Sequence, residues 1–249
     1  MKAVAGPILL TGGSGRLGRE LTGLLAGLVA PSRAELDVTR PESINAAVQR
    51  FEPDVLVHAA AYTDVAGAER NRDVCWRVNV DGTRAIVRSA SERSILLVHI
   101  STDYVFEGTR GMYHEEDCPG PVCNYYALSK LVAEEVARLA PRHLIIRTSF
   151  RPREWPYPVA FTDVYTSQDY VDVIAPEIAL AIQRSREIPY STLHIATERK
   201  SAYELARRRR PDVRPGSKRE VSVALPDDIS LDTSRWQALK AQWGGAGKP

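Results

Sequence analysis

A tyrosine and a lysine four residues apart, Tyr126 and Lys130, carry the side chains best suited to acid–base chemistry in this sequence. The surrounding segment, 121–140, has the pattern of a helix, and residues four apart on a helix share one face. A phenol ordinarily titrates near ~10 and is a poor acid at neutral pH. Because a neighbouring cation stabilises the phenolate, we expect Lys130 to lower the pKa of Tyr126 and to favour proton transfer to a reacting oxygen. The adjacent Tyr125 lies off that face, so we expect a structural role for it.

Near the N-terminus, a glycine-rich loop joins a predicted strand (7–11) to a predicted helix with leucines along one face. Its glycines, Gly12, Gly15 and Gly18, have the spacing G-x-x-G-x-x-G. In this context the first permits a tight turn, the second lets backbone approach a pyrophosphate, and the third allows close packing of helix against strand. Because the helix N-terminus then faces the phosphates, the segment predicts a dinucleotide site. The alternative is a glycine-rich turn without a ligand.

The second predicted strand (28–32) ends in Ser32 and Arg33. In NAD sites an acidic residue at this point binds the ribose 2′-hydroxyl, whereas an arginine accommodates the 2′-phosphate of NADP. Arg33 therefore favours NADPH as the cofactor. The nearby Glu35 leaves NADH possible.

Strand-like and helix-like segments alternate through the first 150 residues. Further strands are predicted at 53–61, 95–100 and 143–148, and further helices at 39–51, 73–93 and 121–140. This alternation favours an α/β fold with a doubly wound parallel sheet. Ligands bind such sheets outside the carboxyl ends of the strands, where Thr102 places a hydroxyl. His58, in another buried strand, could be a catalytic base, but a hydrogen-bonded core residue is the favoured interpretation.

The composition is that of an ordinary globular protein. With 249 residues, 44% apolar and 26% charged, the chain suits one large α/β domain with a small annex. A net charge of +2 gives no indication of a nucleic-acid or anionic-membrane partner. The three cysteines cannot all pair, so we expect reduced thiols in a cytoplasmic protein. No apolar run approaches the ~18 residues of a membrane span, and the stretch after Lys2 runs straight into the glycine loop, so we expect no signal peptide.

A series of motifs along residues 5–150 resembles one known family. The motifs are Gly12-x-x-Gly15-x-x-Gly18, Leu36-Asp37-Val38, residues 53–63, Val78-Asn79, Ser101-Thr-Asp-Tyr-Val-Phe106, Tyr126-x-x-x-Lys130 and Ile146-Arg-Thr-Ser149. Together they resemble an extended short-chain dehydrogenase/reductase, and more narrowly the dTDP-4-dehydrorhamnose reductase family. The string at 101–106 is the most specific of them.

The resemblance implies a Rossmann fold of the extended type and a hydride transfer. The Rossmann domain would span 1–150, and 151–249 would form a small substrate-binding portion interleaved with it. NADPH, or NADH, would reduce the C4 carbonyl of a nucleotide-linked deoxy-sugar, as in dTDP-rhamnose biosynthesis. Tyr126 would donate the proton, Lys130 would lower its pKa and hold the nicotinamide ribose, and Thr102 would bind the carbonyl oxygen.

The same resemblance assigns the remaining contacts, and it implies no metal site. The cofactor contacts would be Gly12, Gly15, Arg16, Leu17, Ser32, Arg33, Asp37, Val38, Ala59, Ala60, Ala61, Tyr126 and Lys130. The substrate contacts would be Thr102, Asp103 and Phe150. We expect a homodimer whose ligand is a nucleotide sugar.

The sequence departs from the family pattern on the substrate side. Phe150 stands where the family commonly has tryptophan, and the proline-rich segment 151–158 replaces a longer insertion. The identity of the sugar therefore stays open. Arg151 and Arg153 could grip a diphosphate, or they could be solvated loop charges.

Two other functions remain as alternatives. One is an epimerase or dehydratase on the same scaffold, in which the cofactor is recycled. The other is a non-catalytic NADP-binding subunit, since the resemblance extends to the regulatory beta subunit of methionine adenosyltransferase.

Overall fold

The computed structural model describes residues 6–221 and 225–245. Within these ranges, no helix combines the length and apolar character needed to cross a membrane. Residues 1–5, which begin the stretch for which no signal peptide is expected, lie outside the described residues. All three cysteines are free thiols, in line with the expectation of reduced cysteines.

Twelve strands are present in the described chain, and six of them form the central sheet. The strands are β1 Ile8–Thr11, β2 Leu28–Val29, β3 Val55–His58, β4 Leu96–Thr102, β5 His143–Thr148, β6 Phe150–Arg151, β7 Val159–Phe161, β8 Tyr165–Thr166, β9 Asp169–Tyr170, β10 Thr192–His194, β11 Lys200–Ser201 and β12 Arg214–Gly216. The central sheet has the order β2-β1-β3-β4-β5-β10, and every pair in it is parallel. This confirms the predicted parallel sheet.

The helices cover both faces of that sheet. They are α1 Arg16–Leu24, α2 Pro41–Phe51, α3 Val65–Arg70, α4 Arg72–Trp76, α5 Gly82–Glu92, α6 Tyr125–Ala137, α7 Val171–Gln183, α8 Ala202–Arg207 and α9 Ser234–Gly245. Short 3₁₀ turns span Asp103–Val105 and Lys218–Glu220, and a π-helical turn spans Arg77–Asp81.

Two apolar cores follow from the alternation of side chains along the strands. Leu10 and Val57 face α1, α7 and α9 on one side of the sheet. Leu9 and Leu56 face α2, α5 and the end of α6 on the other side. The sheet is therefore buried on both faces, which explains why its strands are nearly continuous apolar runs in the sequence.

Two helix predictions need correction at their boundaries. The helix predicted from residue 121 begins only at Tyr125, because the Asn124 carboxamide caps it by accepting a hydrogen bond of 2.8 Å from the Ala127 N–H. The helix predicted over 73–93 consists of α4, the π-helical turn and α5 in succession. The π-helical turn places Asn79 where it reaches the loop that follows β3.

Residues 151–245 divide between a small outer unit and the main core. Three two-stranded ladders, β6 with β9, β7 with β12 and β8 with β11, surround a separate apolar cluster that includes Trp155, Tyr170 and Leu205. In contrast, α7 packs against α1, β10 joins the central sheet, and Trp236 of α9 is buried in the main core.

Candidate active site

A cavity of about 590 Å³ opens at the carboxyl ends of β1, β3, β4 and β5. The strand register produces it, because Thr11 of β1 lies beside His58 of β3, and Thr102 of β4 lies beside Thr148 of β5. The expected site residues that line the cavity are Gly12, Gly15, Arg16, Leu17, Arg33, Asp37, Val38, Ala59, Ala60, Ala61, Thr102, Tyr126, Lys130 and Phe150. Ser32 and Asp103 are not part of the lining.

The glycine loop at one end of the cavity has no room for side chains. Gly12 has a φ of +79°, and a Cβ there would lie 2.7 Å from the Ala60 nitrogen. A Cβ on Gly18 would lie 2.3 Å from the Gly12 carbonyl oxygen. Helix α1 starts directly after Gly15 and has no side-chain cap, so its first N–H groups are open to the cavity end. This bare helix N-terminus fits a pyrophosphate.

In the loop after β2, the charged side chains of Arg33 and Glu35 have different partners. Arg33 is exposed, lines the cavity and forms a loose ion pair with Asp37 at 3.7 Å. The Glu35 carboxylate instead accepts hydrogen bonds from the Ser32 N–H and hydroxyl at 3.0 and 2.9 Å. Those hydrogen bonds lower the pKa of Glu35, and neither Glu35 nor Ser32 lines the cavity. The residue that could have favoured NADH is thus occupied elsewhere.

Three polar side chains meet at the other end of the cavity. Thr102 is the last residue of β4, and Tyr126 and Lys130 lie one turn apart on α6. All three are buried at 9% exposure or less. The Lys130 ammonium donates a hydrogen bond of 2.8 Å to the Ile100 carbonyl of β4. Burial lowers the pKa of Lys130 to about 8, so the side chain is still mostly charged at pH 7.

The pKa of Tyr126 moves in the direction opposite to the one expected. Burial, followed by the nearby Asp103 carboxylate, raises the pKa of the phenol well above its ordinary value. A hydrogen bond with the Thr102 hydroxyl acts in the lowering direction, whereas Lys130 is not among the principal influences. The expected lowering by Lys130 is therefore wrong for the described geometry, because desolvation outweighs it. Tyr126 is held as a neutral phenol, the form that can donate a proton.

Asp103 lies behind the cavity wall and not in it. Its carboxylate is 1% exposed and accepts a 3.0 Å hydrogen bond from the Thr102 hydroxyl. Burial raises the pKa of Asp103 to about 6, although hydrogen bonds from Ser149 and Thr102 act in the opposite direction. The geometry suits a group that orients the Thr102 hydroxyl, rather than the direct substrate contact expected from the sequence.

One positioning residue has no assigned role in the sequence interpretation. The Asn79 carboxamide accepts a 2.7 Å hydrogen bond from the Tyr62 N–H and donates one of 2.8 Å to the Ser129 hydroxyl. Ser129 precedes Lys130 on α6, and Tyr62 lines the cavity after β3. Asn79 therefore ties one wall of the cavity to the helix that carries Tyr126. The only sequence signal was the motif Val78-Asn79.

His58 is a core residue, the interpretation favoured from the sequence. Its two ring nitrogens lie 2.8 Å from the Thr11 hydroxyl and 3.1 Å from the Thr83 hydroxyl. Burial lowers the pKa of His58 to about 3, so the ring stays neutral. Thr11 also accepts a hydrogen bond from the Ala60 N–H, which helps to shape the cavity wall.

Of the two adjacent phenols, only Tyr126 lines the cavity. Tyr125 contacts Trp76, with ring centroids 6.4 Å apart, and the guanidinium of Arg72 lies 5.1 Å from its ring. The expected structural role of Tyr125 agrees with these contacts.

Comparison with known proteins agrees with this site. Residues 6–154 match the family described as RmlD substrate binding domain. The chain belongs to this family. Among curated relatives, a dTDP-4-dehydrorhamnose reductase from Aggregatibacter actinomycetemcomitans is 33% identical over 180 residues, which are 69% of this chain and 61% of the relative. A dTDP-4-keto-6-deoxy-D-glucose reductase from Streptomyces niveus is 41% identical over 149 residues, 57% of this chain and 51% of the relative. The chain thus spans about half to three-fifths of the length of these family members.

Solved structures of the family extend the likeness over nearly the whole chain. A hypothetical dTDP-4-dehydrorhamnose reductase from Sulfolobus tokodaii is 34% identical, with a TM-score of 0.81 and coverage of 94% of both chains. A dTDP-4-dehydrorhamnose reductase from Bacillus anthracis in complex with NADP is 27% identical, with a TM-score of 0.83 and coverage of 94% of this chain and 92% of that one. These matches confirm the Rossmann-like fold and the family resemblance.

Proposed function

We propose that this protein is an NADPH-dependent reductase of the C4 keto group of a nucleotide-activated deoxy-sugar. One observation carries the proposal: Thr102, Tyr126 and Lys130 meet at one end of a cavity whose other end is the bare glycine loop. A hydroxyl at a strand end and a buried phenol are suited to bind and protonate one carbonyl oxygen. The names of the relatives from Aggregatibacter and Streptomyces support the same reaction class.

The residues around the cavity fit a dinucleotide with a 2′-phosphate. Gly12, Gly15 and the first turn of α1 would hold the pyrophosphate, and Arg33 would bind the 2′-phosphate because Glu35 is turned towards Ser32. The remaining cofactor contacts would come from Arg16, Leu17, Asp37, Val38, Ala59, Ala60 and Ala61, and Lys130 would reach the nicotinamide ribose. When bound, the nicotinamide supplies the hydride. The NADP complex of the Bacillus anthracis reductase supports this choice.

The protein's own side chains would handle the substrate oxygen. The Thr102 hydroxyl, which donates to the Asp103 carboxylate in the free site, would turn its one proton to the C4 carbonyl oxygen when the substrate binds. Tyr126 transfers its phenolic proton to that oxygen as negative charge develops on it. Phe150 lines the same cavity and would pack against the sugar. Because these groups are buried, little water competes for the hydrogen bonds.

The organisation of the chain follows from the same proposal. Residues 1–150 would form the cofactor-binding domain, and 151–249 would form a reduced substrate-binding portion that is interleaved with it. The protein would act as a homodimer in the cytoplasm, with a nucleotide sugar as its ligand.

The direct test is a reductase assay with a dTDP-4-keto-6-deoxy sugar and NADPH. We expect loss of NADPH absorbance in step with conversion of the C4 carbonyl to a hydroxyl, followed by NMR of the product. Product formed without added reductant would instead indicate an epimerase or dehydratase. NADPH binding without turnover of any nucleotide keto-sugar would contradict the reductase and favour a regulatory subunit.

A further inference from the structure

A fully buried carboxylate, that of Glu134, lies one helical turn beyond Lys130 on α6. Glu134 is 0% exposed and Lys130 is 4% exposed. Because residues four apart on a helix share one face, both side chains point to the same side of α6. The Lys130 ammonium donates a hydrogen bond of 2.8 Å to the Ile100 carbonyl. The Ser101 hydroxyl donates one of 2.8 Å to the Glu134 carboxylate. Two consecutive residues of β4 therefore hold the ammonium and the carboxylate near each other.

Two arginines keep this carboxylate ionised. Arg147 donates to Glu134 from Nη2 at 2.6 Å and from Nε at 3.1 Å, and Arg138 donates to it from Nη2 at 2.9 Å. Burial acts to raise the pKa of Glu134, but the hydrogen bonds and the charge of Arg147 outweigh it, so that the pKa lies below its ordinary value. Glu134 therefore carries a negative charge at neutral pH although it is fully buried.

Stability alone does not account for a buried ion pair of this kind. The Arg147 side chain is also buried, and its guanidinium carbon lies 5.0 Å from the centre of the Phe106 ring. Both charges lose their hydration on folding, and apolar residues of similar size are often at least as stabilising in such a place. Apolar residues, however, could not supply a fixed negative charge beside the helix face that carries Lys130.

The other titratable groups around Lys130 cannot supply that charge. The titratable side chains near Lys130 that stay neutral at neutral pH, with burial as the main cause, are His58 of β3, His99 of β4, Cys75 of α4 and Tyr126 of α6. Burial lowers the pKa of Lys130, and the Glu134 carboxylate is the foremost influence in the raising direction. Because the ammonium is hydrogen-bonded to Ile100 and not to Glu134, the carboxylate acts on it through space.

We propose that Glu134 is a positioning residue that keeps Lys130 charged at the pH at which the enzyme works. The inference rests on the proposed function, in which the Lys130 ammonium reaches the nicotinamide ribose beside Tyr126. Since the pKa of Lys130 is already as low as about 8, the loss of one nearby negative charge would turn much of it into the neutral amine near neutral pH. Arg147 and Arg138 serve the same end indirectly, because they keep Glu134 ionised.

The test is an NMR titration of Lys130 in the full chain labelled with ¹³C-lysine, in which only six lysines give signals. The spectrum of Lys130→Met assigns the signal of Lys130. We expect Glu134→Gln, which keeps an oxygen that can accept from Arg147, to lower the midpoint of the Lys130 titration by about 1 pH unit. The matched control is Glu135→Gln, which removes one negative charge from the neighbouring residue. Since the Glu135 side chain is 61% exposed, its loss should leave the midpoint unchanged.

The pH profile of kcat/KM for a dTDP-4-keto-6-deoxy sugar, with saturating NADPH, gives a second readout. We expect the fall in rate at alkaline pH to begin about 1 pH unit lower in Glu134→Gln than in the wild type. The rate should then differ by about tenfold at pH 9 and by less than about twofold at pH 6.5. A glutamate that only supported the fold would lower the rate by the same factor at every pH.

The outcomes separate this inference from the proposed reaction. An unchanged midpoint in Glu134→Gln would overturn it, as would an equal change in Glu135→Gln or a loss of rate that is uniform across pH. If Glu134→Gln does not fold, Glu134→Leu with Arg147→Met decides, because it removes the carboxylate together with its buried partner; it too should show the lowered midpoint, and a wild-type midpoint would overturn the inference. A wild type that reduces no keto-sugar would contradict the proposed function, whereas the NMR midpoints would still decide whether Glu134 maintains the charge of Lys130.

Discussion

Replacing Lys130 with methionine should change how the stability of the protein depends on pH. In the folded protein burial lowers the pKa of Lys130 to about 8, compared with an ordinary value of 10.5. Below pH 8 both folded and unfolded chains carry the proton. Between about pH 8 and 10.5 the unfolded chain keeps a proton that the folded chain has lost, so this lysine makes the free energy of unfolding rise with pH.

The size of this change in stability follows from the difference between the pKa of Lys130 in the folded protein and its ordinary value. Each pH unit inside that window contributes about 1.4 kcal/mol. Integrated from pH 7 to pH 9.5, the wild type should gain about 2 kcal/mol relative to Lys130→Met. The hydrogen bond from Lys130 to the Ile100 carbonyl is lost in the variant, but that loss shifts the two curves by a nearly constant amount.

The assay is equilibrium urea unfolding of both proteins at half-unit steps of pH from 7 to 9.5. Cys75 and Tyr126 also have raised pKa values, and both contribute to the pH dependence in this range. Because they are present in both proteins, their contributions largely cancel in the difference between the two curves, which then reports on Lys130 together with its influence on the pKa of Cys75. Parallel curves would refute the reasoning, since they would mean that the lysine is not desolvated in the folded state.

Three further predictions concern the glycine loop, the core and the cofactor. Gly18→Ala should weaken NADPH binding about 10- to 100-fold in a fluorescence titration, because its Cβ would lie 2.3 Å from a backbone oxygen. Gly23→Ala, in open space on the same helix, should instead stabilise the protein by about 0.5–1 kcal/mol. Arg147→Met should destabilise it by about 3–5 kcal/mol in urea, because the buried Glu134 loses its 2.6 Å partner. Arg33→Ala should abolish a preference for NADPH over NADH, measured by titrating both.

Each of these predictions has an outcome that would contradict it. Equal NADPH affinity in the two glycine variants would mean that the loop does not approach the cofactor. A double variant, Glu134→Leu with Arg147→Met, should recover much of the stability that Arg147→Met loses. If it recovers none, the stability is lost through packing and not through charge pairing. Tighter binding of NADH by the wild type would overturn the assignment of Arg33.

The parallel sheet and the cofactor loop could be predicted because their signals are local. Apolar runs with small residues at their ends mark buried strands, and Gly12 and Gly18 stand where a Cβ would collide with backbone atoms. Strand order then brings Thr102 and the start of the glycine loop to the same edge. None of this requires knowledge of distant contacts.

Electrostatics could not be predicted in the same way, because burial is a property of the whole fold. Spacing places Tyr126 and Lys130 on one face, yet it does not reveal how fully both are desolvated. The carboxylate of Asp103, buried behind Thr102, adds to the shift of Tyr126. The sign of the pKa change therefore depends on tertiary packing.

The two arginines after Phe150 illustrate the same limit. Arg151 and Arg153 look equivalent in the sequence, but Arg153 reaches Glu20, which is 133 residues away in the chain. Arg151 stacks on Trp155, which belongs to a cluster built by β7, β9 and α8. A proline-rich segment has no helical or strand periodicity from which such contacts could be predicted.

The central claim is that Tyr126 is the proton donor, and a comparison of two phenylalanine variants tests it most directly. Turnover of NADPH with a dTDP-4-keto-6-deoxy sugar is measured for the wild type, Tyr126→Phe and Tyr125→Phe, all saturated with NADPH. The account predicts that Tyr126→Phe lowers kcat by about 10²- to 10⁴-fold, the usual contribution of a general acid, while Tyr125→Phe keeps the wild-type rate. Equal kcat for Tyr126→Phe and the wild type would contradict it.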